Sequence, residues 1–146
     1  MFTSALAELG TGQVAFLSGL MAGFSVTVAI HILRRGLRDP VSEIVFYLLL
    51  ITTFLFMVSL YTEVRLTIEI AGAEELSDEA NALLSQIRLI GTLCATSGFC
   101  LFIFSIGLLG WIGRPLLGFL TTFSAILTFA ALGYIWMSIR SLQAIL

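Results

Sequence analysis

The chain has 146 residues, 59% hydrophobic and 11% charged, against about 25% charged in a soluble domain. That is too little polar surface to face water on all sides, so most of the exterior must face lipid; the length suits one domain. The net charge is −2, and the seven basic residues are all arginines scattered along the chain, which excludes the basic patch a nucleic-acid partner needs.

Residues 1–13 hold one charge, Glu8, and no basic cluster, so no cleaved signal peptide is expected. Gly10 and Gly12 are expected to interrupt any helix there, with Thr11 capping the first span. From Val14 to Leu33 no residue is charged, a stretch of about 30 Å as helix, the thickness of the bilayer's hydrocarbon. The first span is therefore placed at about 13–37. Within it Ala15, Gly19, Gly23, Thr27 and His31 recur at every fourth position. This spacing predicts a small-residue stripe that packs against another helix or, in an oligomer, faces a pore.

Phe16-Leu-Ser-Gly-Leu-Met-Ala22 resembles the first helix of Orai-type calcium channels. The resemblance implies a pore lined by that helix. Where the family places its acidic selectivity residue, this chain has Thr27, and the family's cytoplasmic termini run against the arginine distribution described below.

Arg34 and Arg35 suit the negative end of the first helix, and Gly36 permits a reversal. Asp39 and Pro40 then start a second helix as N-cap and first helical residue, with Glu43 near its positive end. So short a turn makes the two helices antiparallel neighbours. The second helix is placed at 40–70, apolar from Ile44 to Tyr61 and long enough to protrude beyond the bilayer, with Arg65 and Glu69 spaced to pair. An acidic loop follows, with Gly72 ending the helix and Ser77 capping the next. The third helix is placed at 78–110, its start packing on helix 2 through Ala82, Leu83 and Ile87 and its apolar part showing Gly91, Ala95 and Gly98 on one face. A second tight turn, Gly-Trp-Ile-Gly-Arg-Pro, leads to a fourth helix at 115–139 with Thr121, Ala125, Thr128 and Ala131 or Leu132 as its small-residue face.

The expected fold is thus all-α: a polytopic membrane protein with four transmembrane helices in an up-down bundle. Arg34, Arg35, Arg38 and Arg114 lie at the tight turns, against Arg65, Arg88 and Arg140 at the other end. This imbalance favours cytoplasmic turns and both termini outside, in a plasma or inner membrane. Tyr47 and Trp111 on one side, with Tyr61, Tyr134 and Trp136 on the other, fit two aromatic belts.

Few residues here invite chemistry. His31 is the single histidine, and a metal site needs more ligands, so a headgroup-level role is expected. Cys94 and Cys100 fall on different helix faces and read as inert thiols. Glu63 and Arg88 lie at one height near the outer edge and are expected to form an ion pair. There is no Ser/His/Asp set, glycine-rich phosphate loop or Cys-x-x-Cys. No enzymatic activity, metal or cofactor is therefore expected. The partners expected are the lipid bilayer and either further copies of the chain or another membrane protein. The leading expectation is a non-catalytic membrane subunit or scaffold; the alternative is a homo-oligomeric channel lined by helix 1.

Overall fold

The computed structural model describes residues 2–37, 39–71, 78–112 and 115–143, with side chains described for 12–37, 39–68, 80, 82–112, 115–135, 137, 138 and 141. The acidic loop with Gly72 and Ser77, the turn arginines Arg38 and Arg114, and the side chains of Glu69, Trp136 and Arg140 lie outside the described residues.

The chain forms four long helices in sequence: α1 (Phe2–Arg35), α2 (Pro40–Ala71), α3 (Asp78–Leu109) and α4 (Pro115–Gln143), with a short 3-10 turn, Gly110–Ile112, before α4. All four contain a stretch long and apolar enough to cross a bilayer. The architecture is the all-α, four-span membrane fold that the composition requires.

The first helix differs from expectation. α1 runs unbroken through Gly10 and Gly12 from Phe2, so Thr11 lies inside the helix and not at its start. A glycine inside a helix costs only about 1 kcal/mol relative to alanine, which flanking helix can absorb. At its other end α1 stops as predicted. Gly36 adopts φ 85°, the left-handed conformation, and its N–H donates to the Leu33 carbonyl at 3.1 Å, closing the helix. Asp39 opens α2 through its backbone: its carbonyl accepts from the Ser42 and Glu43 N–H groups at 3.0 and 3.2 Å. The Ser42 hydroxyl completes the cap, lying 3.3 Å from the Asp39 N–H and donating to the Asp39 carbonyl at 2.7 Å.

α2 is the central element, packed on α1 along one flank and α3 along the other. Its buried positions are Ser42, Val45, Leu49, Thr52, Phe56, Ser59, Glu63 and Leu66, with Thr53 beside them. Apart from Thr53, these alternate in steps of three and four, the 3.5-residue repeat of a left-handed helix pair. α1 answers with Ser18, Ala22, Ser25, Ala29 and Ile32, and Ser18 and Ser59 share a hydroxyl–hydroxyl hydrogen bond of 3.3 Å. Ala29, Ile32, Val45 and Leu49 form the core near the tight turns, covered by Phe102 and Leu109. α3 meets α2 through Gly91 and Gly98. A Cβ on Gly91 would lie 2.9 Å from Thr62 Cγ2, and one on Gly98 would lie 3.4 Å from Leu55 Cβ. This is the face predicted for helix 3.

The start of α3 is oriented differently from expectation. Ala82, Leu83 and Ile87 are exposed, and Leu84 turns inward instead. Leu84, Gly91, Gly98 and Ser105 lie seven apart on one seam, so the contact demanded by the two glycines sets the rotation of the whole helix. The expected face of α4 holds only in part: Thr121 and Ala125 are half-buried, whereas Thr128, Ala131 and Leu132 are exposed.

Candidate functional site: the groove between α1 and α4

α4 is fixed at its first turns and free beyond them. Gly107 on α3 leaves room for Ala125, whose Cβ would sit 3.2 Å from a Cβ at that glycine. The Trp111 ring lies over Gly118, and its Nε1–H donates to Thr122 Oγ1 at 3.0 Å. Thr121 Oγ1 lies 2.9 Å from the Gly107 carbonyl and 3.0 Å from that of Leu117. Past this joint the described residues of α4 make no extended packing on α1 or α2. Of its apolar span 6% is buried within the chain, against 33% for α2.

The separation leaves a groove along the α1–α4 side, floored by α3, in three sections. Beside the tight turn is a cavity of about 640 Å³ lined by Thr27, His31, Arg35, Asp39, Ser42 and Leu117 among others. Midway lies a space of about 290 Å³ between Met21, Phe102, Ile106, Leu120 and Ala125. At the far end about 600 Å³ opens between Leu17, Phe56, Phe99, Cys100 and Phe129. Polarity is concentrated at the turn end. Among the described residues, neither the Arg35 guanidinium nor the Asp39 carboxylate has an ion-pair or side-chain hydrogen-bond partner.

The five-residue stripe of α1 does not form one face of the chain's own packing. Ala15 is half-buried, and a Cβ on Gly19 would make ordinary contact with Leu60 at 3.8 Å. A Cβ on Gly23 would meet nothing within 4 Å. Thr27 and His31 are exposed and line the cavity at the turn. A fourth-position spacing advances about 40° per step at 3.6 residues per turn, so five positions wind nearly halfway round the helix. The α1 residues buried within the chain are Ser18, Ala22, Ser25, Ala29 and Ile32 instead.

Most hydroxyls on these helices are satisfied locally. Thr27 donates to the Gly23 carbonyl at 2.8 Å, and Thr62, Thr92, Thr96 and Thr128 make the same four-residue back-bond. That pairing lets a hydroxyl face lipid without a stranded donor. Two buried polar atoms on α2 differ: Thr52 Oγ1 and Glu63 Oε2 have no hydrogen-bond partner. Glu63 sits in the seam, 3% exposed, with Oε1 3.5 Å from where a Gly91 Cβ would be. Arg88 is exposed on α3. Cys94 and Cys100 are half-buried free thiols. Among the described residues no three His, Cys, Asp or Glu side chains converge.

Four apolar spans and an exterior of exposed Phe, Leu and Ile define the class: a multi-pass integral membrane protein. No protein-family model, curated protein or solved structure matches the chain.

Proposed function

We infer that the chain is a non-catalytic membrane subunit or scaffold whose fourth helix completes its packing against a further membrane chain, a second copy or a different protein. The observation that carries this is the near-absence of burial along α4, in a helix held firmly at one end. Outside its joint, α4 exposes Ser124, Thr128, Ala130, Ala131 and Gly133 among its large side chains. On α1, Gly23 and Thr27 are likewise exposed. Helix association in lipid depends on close backbone approach, which such residues permit.

The test is particle mass. Extracted from its own membrane in a mild detergent, the protein should run as a complex larger than one 15.9 kDa chain, and a cysteine at Gly133 should cross-link to a partner. A particle of one chain, with no cross-link, would overturn the reading. The rival is a homo-oligomeric channel lined by α1, supported by the outward position of Gly23, Thr27 and His31. Ion flux into liposomes holding this protein alone would favour the channel; tight liposomes with an intact oligomer favour the scaffold.

A further inference from the structure

We propose that the turn end of the α1–α4 groove seats one phospholipid with a zwitterionic, primary-ammonium headgroup of the phosphatidylethanolamine type. The argument is charge complementarity at a fixed depth. Arg35 ends α1, the following turn is short, and Asp39 precedes Pro40 of α2; both line the same cavity. One side chain is a permanent cation and the other an anion, each without a partner among the described residues. A headgroup carrying one phosphate and one ammonium answers both. An anionic headgroup would leave the Asp39 carboxylate facing negative charge. A choline headgroup has the charges but no N–H to donate to that carboxylate, whereas a primary ammonium has three.

The rest of the cavity fits the rest of the lipid. His31 stands one turn above Arg35, near the depth of the ester linkages, and Thr27 a further turn on, beside the acyl chains; the walls there are Val28, Ile32, Leu109 and Leu117. From Arg35 to Thr27 is about 12 Å along the helix, and to Met21 about 21 Å. One leaflet of hydrocarbon is about 15 Å deep. An acyl chain from a headgroup at Arg35 therefore runs past Thr27 into the middle section of the groove, beside Met21, Phe102 and Leu120. A second copy's helix in this place would have to bury Arg35 and Asp39 against apolar side chains, which is costly for unpaired charges.

The experiment reconstitutes the full chain in nanodiscs of phosphatidylethanolamine, phosphatidylcholine and phosphatidylglycerol in equal parts. The protein is then extracted in mild detergent, and the retained lipid is read by native mass spectrometry. One phosphatidylethanolamine per chain is expected, enriched about fivefold over the other two, the order of one exposed charge pair. Asp39→Asn keeps the side chain's size and leaves the backbone cap at the start of α2 in place, and should shift retention to phosphatidylglycerol, while Arg35→Gln should abolish it. Helicity and elution volume of each variant check folding, and the wild-type ranking stands as a test without them. Equal retention of all three lipids, a preference for phosphatidylglycerol in the wild type, no retained lipid, or a lipid-free dimer would each overturn the proposal.

Discussion

Replacing Gly91 by alanine tests the central claim that α2 and α3 are held by close backbone approach. The new Cβ would stand 2.9 Å from Thr62 Cγ2 and 3.3 Å from Thr62 Cβ, inside any normal carbon–carbon contact. Thr62 is β-branched and cannot yield freely. Its Oγ1 donates to the Val58 carbonyl at 2.8 Å, so rotating χ1 gives up a bond worth about 1 kcal/mol. The alternative is for the helices to part by several tenths of an ångström, loosening the contacts around Gly98 and Phe56 as well. Overpacking of this size costs about 1–3 kcal/mol. The gain in helix propensity from glycine to alanine returns about 1 kcal/mol, leaving a net loss of up to about 2 kcal/mol. Thr62→Ser removes the clashing methyl and keeps the hydroxyl, so it should rescue most of the loss. The assay is a double-mutant cycle on reversible unfolding in mixed micelles. If Gly91→Ala is as stable as the wild type, or if Thr62→Ser shows no coupling to it, the contact does not hold the pair together.

Gly23, where an added Cβ would meet nothing within 4 Å, should behave oppositely: Gly23→Ala should leave the isolated chain unchanged or up to about 1 kcal/mol more stable, and a loss in unfolding free energy would show a hidden contact. Gly23→Leu reports on assembly, since a reduced particle mass with unchanged stability would place that glycine at an interface between chains. Glu63→Gln keeps the volume of a buried side chain whose Oε2 has no partner and should leave stability unchanged or raise it by about 1 kcal/mol; a fall of similar size in the melting experiment would mean the carboxylate is engaged. For topology, in a background with Cys94 and Cys100 replaced by alanine, a cysteine at Asp78 should react with a membrane-impermeant thiol reagent on intact cells and one at Leu37 should not. Reversed labelling would invert the orientation inferred from the arginines.

Four spans, two tight turns at one end and the reversal at Gly36 were legible in the sequence because each depends on local chemistry: apolar length, a glycine and a proline. Which face of each helix packs was harder to read, since in lipid the usual contrast disappears. α2 is apolar nearly throughout, and what marks its seam is the residues least suited to lipid: Ser42, Thr52, Ser59 and Glu63. Phe54, Tyr61 and Met57 face outward. The principle that small residues mark a membrane interface was sound for Gly91 and Gly98. On α1 the chain's own packing follows a different period from the stripe. A four-residue repeat drifts across the helix, whereas Ser18, Ala22, Ser25 and Ala29 hold to the three-four alternation that also runs along α2. The stripe through Gly23, Thr27 and His31 is left over from the chain's own packing, and its lower half lines the groove. That groove had no signal in any single helix. It exists because α4 is anchored by Trp111, Gly118 and Thr121 at one end and, among the described residues, is little buried at the other. Arg35 and Asp39, read from sequence as a helix end and a helix start, thereby become the two charged walls of one cavity.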